Sequence, residues 1–183
     1  RPRERPGSPG ESGLGRKRSL PEAATTPAVS ALVRRGVAHR LLEYPHDPRS
    51  ESFGLEAAAR LGIAPERVFK TLLVTLDDDD RRLAVAVLPV AARLALKRAA
   101  GALGARRAAM ADVRRAERVT GYVAGGISPL GQRLALPTVL DASAFDQERI
   151  LVSGGRRGLE IELFPTDLER LTDAVRADLR AGP

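Results

Sequence analysis

Lys70 interrupts an otherwise apolar run, Val68-Phe69-Lys70-Thr71-Leu72-Leu73-Val74, in a chain that carries 27 arginines and only 3 lysines. A compact ammonium is costly to bury unpaired. The position therefore admits two readings: an edge-strand lysine whose stem is covered while its charge stays in water, or a cation that meets a ligand. A second unusual segment runs from Thr120 to Gly131 (TGYVAGGISPLG), where four glycines and one proline impose an irregular backbone path. Such a loop lets main-chain N–H and C=O groups approach a ligand closely, although many glycine-rich connections are only turns. It matches neither the phosphate-loop nor the dinucleotide fingerprint, so nucleotide hydrolysis and hydride transfer are not indicated. The third segment, Val152 to Glu160 (VSGGRRGLE), sets a hydroxyl, free amides and two cations between two strands, in its simplest form a basic hairpin. Glu160 and Glu162 are two apart on a strand and share a face, so pairing with an arginine is their expected fate.

What is missing narrows the chemistry further. The chain has no cysteine, hence no disulfide framework, no thiolate metal site and no cysteine nucleophile. Any sulfur chemistry would have to come from a substrate. His39 and His46 lack a third partner at metal-ligand spacing, and no Ser-His-Asp arrangement suggests itself, which argues against a zinc site or a triad. The four aspartates Asp77 to Asp80 read as a solvated turn rather than a cation site. Tyr44 and Tyr122 lie beside the unusual segments, and their faces are of the kind on which a terminal adenine stacks. The formal charge of +7 and a pI near 10.8 favour a polyanionic partner, but the excess of arginine over lysine equally fits a biased genome. No apolar run approaches the roughly 20 residues that cross a bilayer, and the arginine-rich start lacks the apolar segment of a secretory signal. A cytoplasmic location is expected.

These residues need a scaffold of one domain plus a tail. Residues 1–24 mix Pro, Gly, Ser and charge with almost no apolar side chains, which predicts a disordered basic tail; its Arg16-Lys17-Arg18 run is solvated or touches RNA. The folded domain is expected over 25–183. Thr25 or Thr26 caps a helix near 27–35, with Pro27 at its first position and Gly36 past its end. Strands are expected at Val37–Tyr44, Val68–Leu76 and Arg82–Leu88, with Asp77–Asp80 as the tip of a hairpin and Pro89 ending the third. Helices are expected at Ser50–Leu61, closed by Gly62, at Leu94–Leu103 and from Asp112 to about Val119. Short strands follow near Ala108–Met110, Pro137–Leu140, Arg149–Val152 and Leu159–Phe164. A closing helix after Thr166 would carry Leu168, Leu171, Val175 and Leu179 on one stripe. Interleaved helices and strands with both hairpins and crossovers predict a mixed rather than a doubly wound parallel sheet.

Taken together, Thr26-Pro27-Ala28, Tyr44-Pro45-His46-Asp47, Ser52-Phe53-Gly54, Val68 to Leu72, Leu83 to Val87, Thr120-Gly121-Tyr122, Gly125 to Gly131 and Val152 to Gly155 resemble the YbaK/EbsC family of aminoacyl-tRNA deacylases. The resemblance covers nearly all of residues 26–181 and is greatest to the branch acting on cysteinyl-tRNA(Pro). It implies a mixed α/β fold, a barrel-like sheet of parallel and antiparallel strands surrounded by helices, related to the editing domain inserted in bacterial prolyl-tRNA synthetases. It also implies catalytic positions at Lys70, Gly125, Gly126 and Ser128, with Lys70 contacting the terminal nucleotide and the glycine-rich backbone holding the scissile end. Tyr44, Phe53, Thr71, Tyr122, Ile127, Pro129, Ser153, Gly154 and Glu160 would surround the substrate; the family has Asp where this chain has Glu160. No cofactor or metal is implied. The partners would be the acceptor end of misacylated tRNA(Pro) and, transiently, prolyl-tRNA synthetase.

Cysteine and proline are close in size, so a pocket for one cannot strongly reject the other, and a second sieve must remove the error. The mechanism implied by the resemblance is attack of the cysteine's own thiol on its ester. Three alternatives stand beside it: removal of alanine from tRNA(Pro) by water, a non-catalytic module that binds tRNA or synthetase, and a small-molecule hydrolase unrelated to translation.

Overall fold

The computed structural model describes residues 25–182; the expected N-terminal tail lies outside them. Helix α1 (Pro27–Arg34) begins as its sequence dictates, with Pro27 in the first turn and the Thr26 hydroxyl accepting the Val29 amide at 3.2 Å, satisfying a donor the helix cannot. Strand β1 is shorter than its apolar run, at Arg40–Glu43. Val37 is consumed in closing α1: Gly36 adopts φ +62, and the Val37 amide turns back to the Leu32 carbonyl at 3.1 Å. Helix α2 (Phe53–Leu61) likewise starts later than its helical pattern. A turn in which the Asp47 carbonyl and carboxylate accept the Ser50 and Arg49 amides precedes it, and this delivers Phe53 into the first helical turn.

Strands β2 (Phe69–Leu76) and β3 (Asp79–Pro89) form the long hairpin. Its two-residue tip is Asp77 and Asp78, both at left-handed φ near +55, a conformation aspartate tolerates and hairpin twist favours. The tip aspartates are held by arginines: Asp77 by Arg82, and Asp78 by Arg107. Helix α3 (Leu96–Ala102), strand β4 (Ala108–Met110), helix α4 (Val113–Thr120), and strands β5 (Thr138–Asp141), β6 (Ile150–Ser153) and β7 (Leu159–Leu163) fall close to their expected spans. A short 3-10 helix at Ala142–Asp146 was not expected; the Asp141 carboxylate caps it.

The expected closing helix is corrected. Helix α5 (Pro165–Thr172) stops where Asp173 turns left-handed at φ +52, and the chain continues as strand β8 (Val175–Ala177) parallel to β5. Leu168 does face the core as the helical stripe predicts, but Val175 is exposed and Leu179 is buried in a different cluster, with Ala86, Leu88 and Val139. The Asp141 carboxylate decides the point, since it accepts the Leu179 amide at 2.7 Å and draws the last segment onto the sheet edge.

The mixed α/β architecture is as expected, with the sheet in two parts: antiparallel β1-β7-β6, and a mixed sheet β4-β2-β3-β5-β8. One parallel bridge, Val68 to Leu151, joins them. The main core lies between the sheets, where Phe69, Leu73, Val85 and Val87 meet Ile150, Val152, Leu159 and Ile161 beneath α1.

Candidate active site

The cavity follows from the way the two sheets part. On the flank of β2 away from β3, β4 pairs only with Val74–Leu76, and β6 forms a backbone bridge only at Val68, just before β2 begins. The edge between Phe69 and Leu72 thus has no strand neighbour on that side, and a cavity of about 410 Å³ opens against it. Helix α2 supplies one wall through Phe53, and the glycine-rich loop closes another through Ala124, Gly125 and Ile127. Ser153 and Glu160, paired across β6 and β7, form the floor.

Seven of the expected site residues meet here: Lys70, Thr71, Phe53, Gly125, Ile127, Ser153 and Glu160. Lys70 Nζ donates to the carbonyls of Val90 at 3.2 Å and Ala92 at 2.5 Å, which fixes the ammonium at the end of β3 and leaves one donor uncommitted. Partial burial holds its pKa below the ordinary lysine value. The ammonium is thus tied to the fold by two carbonyls while it borders the cavity. Thr71 Oγ1 is buried and has no hydrogen-bond partner among the described residues. Glu160 is 7% exposed, and desolvation pushes its pKa up to about 8. The expected arginine pairing divides the two glutamates: Glu162 is bridged by Arg40 and Arg67, whereas Glu160 meets no arginine among the described residues. The amides of Gly125 and Ile127 donate to no acceptor among the described residues. The cavity wall thus offers a cation, an unpartnered hydroxyl, a carboxyl and free main-chain donors.

The other expected residues support this wall without lining it. Ser128 is fully buried, and its Oγ accepts the Leu130 amide at 3.2 Å. Tyr122 donates from its hydroxyl to the Leu130 carbonyl at 2.6 Å and packs in the main core. Tyr44 packs with Ala57, Val68, Val90 and Leu151; burial, and next the nearby Glu160 charge, raise its pKa to about 12. Neither tyrosine therefore presents a free ring face to stack an adenine, because both rings are more useful as buried apolar surface. Gly154 sits behind the floor, where its carbonyl accepts the Thr26 hydroxyl. Pro129 faces a separate concavity beside α1. Gly126 lies where the loop presses on the β6–β7 hairpin; a Cβ there would stand 2.9 Å from the Arg156 Cα, so only glycine permits this approach.

Sequence reasoning passed over three exposed apolar residues at the cavity mouth, Leu55, Met110 and Val113. Leu55 and Val113 lie in the first turns of the amphipathic helices α2 and α4, and Met110 ends a three-residue strand; apolar spacing does not tell a cavity rim from the core. Sequence reasoning also left Arg157 without a role, although the guanidinium lies 4.7 Å over the Phe53 ring. Among the described residues no group of three or more His, Asp or Glu side chains is placed to hold a metal, and no helix is long and apolar enough to cross a membrane.

The family model of the aminoacyl-tRNA editing domain matches residues 52–171, a span that includes α2, the β2–β3 hairpin, the glycine-rich loop and both β6 and β7. The chain belongs to this family. The editing domain is 39% identical over 122 residues to EbsC of Enterococcus faecalis, named as a candidate Cys-tRNA(Pro)/Cys-tRNA(Cys) deacylase. That alignment covers 67% of this chain and 73% of EbsC. Among solved structures, a candidate trans-editing enzyme for prolyl tRNA synthetase superposes with a TM-score of 0.76 at 26% identity. The match covers 90% of this chain and all of that one (100%). A second, that of a hypothetical protein, gives 0.74 at 26% identity, covering 85% of this chain and 100% of its own. The lining residues of the cavity fall inside the matched span, Glu51 excepted.

Proposed function

We propose that this editing domain is a trans-acting deacylase that clears cysteine from mischarged tRNA(Pro), and that the cavity beside the open β2 edge holds the aminoacylated 3′ end. The observation that carries the reading is the combination in one cavity of Lys70, the unpartnered Thr71 hydroxyl, the free Gly125 and Ile127 amides and the isolated Glu160 carboxyl. The chain has no cysteine to act as nucleophile. In this reading the substrate supplies it: the cysteinyl sulfur bonds to the ester carbonyl carbon, the bond to the ribose oxygen breaks, and a cyclic thiolactone and free tRNA leave. The proton lost by the thiol is regained by the ribose oxygen, so the reaction balances without a co-reactant.

The protein's share is positioning and electrostatics. Lys70 holds the terminal nucleotide, and the free loop amides face the oxygen on which charge develops. Glu160 receives the α-ammonium, the cation that an isolated buried carboxyl lacks. The acceptor end is the tRNA portion bound, and prolyl-tRNA synthetase supplies the identity that a cavity of this size does not read. The deciding experiment is a deacylation panel of cysteinyl-, alanyl- and seryl-tRNA(Pro) with purified protein. Fast turnover of the cysteinyl ester with slow turnover of the seryl ester supports thiol assistance. Turnover of the alanyl ester at the same rate would replace it by water attack, and turnover of none would leave a binding module.

A further inference from the structure

Ala124 stands at the apex of the glycine-rich loop, and its peptide groups are clamped from two directions. Its amide donates to Glu117 Oε1 on α4 at 2.8 Å, and its carbonyl accepts both Nε and Nη2 of Arg157 at 2.9 and 2.7 Å. The same guanidinium lies 4.7 Å over the Phe53 ring. That ring in turn abuts Gly125, where an added Cβ would fall 2.7 Å from the ring carbons and where φ is +82. Arg157 thus ties together three separate walls of the cavity: α2 through Phe53, the loop through Ala124, and the β6–β7 hairpin on which it sits. Two parallel N–H donors to one carbonyl and a planar face on an aromatic ring require a guanidinium; an ammonium satisfies only part of the arrangement.

We propose that Arg157 is a positioning residue of the editing site, a latch that sets the free Gly125 and Ile127 amides against the open β2 edge. Its role is mechanical and not that of a phosphate ligand: two of its three donor nitrogens are spent on Ala124. The inference rests on the deacylase reading for its kinetic consequence, and on geometry alone for its effect on the loop.

The test compares Arg157→Ala, Arg157→Lys and Glu117→Gln with the wild-type chain by hydrogen exchange of the loop amides and by single-turnover deacylation of cysteinyl-tRNA(Pro). With Arg157→Ala, exchange at the hydrogen-bonded amides of Ala124 and Gly126 rises at least about tenfold while exchange in β2 and β3 is unchanged, as expected for local opening. The single-turnover rate constant falls roughly 10- to 100-fold, as for a misplaced catalytic wall, with the half-saturating tRNA concentration changed less than about twofold. Arg157→Lys recovers part of both losses, and Glu117→Gln, which keeps an acceptor for the Ala124 amide, loses less of either. Unchanged loop exchange in Arg157→Ala overturns the latch. So does a loss confined to half-saturation, with a shallower salt dependence, since that is the signature of a phosphate contact. If the wild-type chain deacylates nothing, the deacylase reading fails, and the exchange measurement alone decides the latch.

Discussion

Replacing Glu160 by glutamine removes a charge from the cavity floor at nearly constant volume, and its effect should depend on pH in a way that reports burial directly. The carboxyl is 7% exposed, and desolvation raises its pKa from 4.5 to about 8. An acid whose folded pKa is raised binds its proton more tightly in the folded than in the unfolded state. Its contribution to stability is therefore greatest below about pH 4.5, falls as pH rises toward 8, and levels off above it. Each pH unit in that window costs about 1.4 kcal/mol, so the whole interval amounts to on the order of 5 kcal/mol. Glutamine has no charged form. The assay is urea unfolding of wild type and Glu160→Gln at roughly pH 5 and pH 9, with the two proteins compared at each pH so that all other titrating groups cancel. Glu160→Gln should match or trail the wild type at the acid end and exceed it by a few kcal/mol at the alkaline end. Parallel pH profiles for the two proteins would mean that Glu160 ionises in a solvated setting, and the α-ammonium role assigned to it would lose its basis.

Lys70→Ala should lower single-turnover deacylation by at least about 100-fold while stability stays within roughly 1 kcal/mol, because Val90 lines the open cavity and Ala92 is only half-buried, so water can reach the freed carbonyls; retained activity in a folded variant would refute the assignment. In wild type, kcat/KM for cysteinyl-tRNA(Pro) should rise as pH approaches about 8, where Glu160 becomes ionised and able to pair with the α-ammonium; a persisting rise of the same midpoint in Glu160→Gln would point to the substrate thiol instead. Gly126→Ala should force the loop off the hairpin by clashing with the Arg156 backbone, costing roughly 1–3 kcal/mol and most of the activity, measured by thermal unfolding and turnover together. Asp141→Ala should destabilise by roughly 2–4 kcal/mol, since the fully buried carboxylate accepts the amides of Ser143 and Leu179; loss of exchange protection at Leu179 without loss in β2 would confirm that it anchors the last strand.

Local rules carry a long way in this chain. Thr26-Pro27, Gly62, Asp112 and Gly121 mark helix ends because caps and left-handed residues act within one turn. Lys70 announces itself by being charged inside an apolar strand, whereas Glu160 looks no different from Glu162 in the strand they share. Residue type alone does not carry relative depth. Tyr44 and Tyr122 have the same aromatic surface whether a nucleobase or the core covers it, and here the core does. Val175 and Leu179 keep helical spacing after Leu168 and Leu171, yet Asp173 breaks the helix and Asp141, more than thirty residues upstream, captures the C-terminal segment on the sheet edge.

The amino-acid sequence by itself determined the kinds of element, most of their ends, the set of segments that matter and the family resemblance, since these depend on neighbours within a few residues. Only the tertiary structure decided that β4 and β6 leave one flank of Phe69–Leu72 in β2 without a strand neighbour, that Glu162 takes the arginines while Glu160 takes none, and that Arg157 reaches Ala124 and Phe53. Those outcomes depend on strand register and on which loops meet, and the free energy that selects them comes from burying the whole core at once rather than from any one segment.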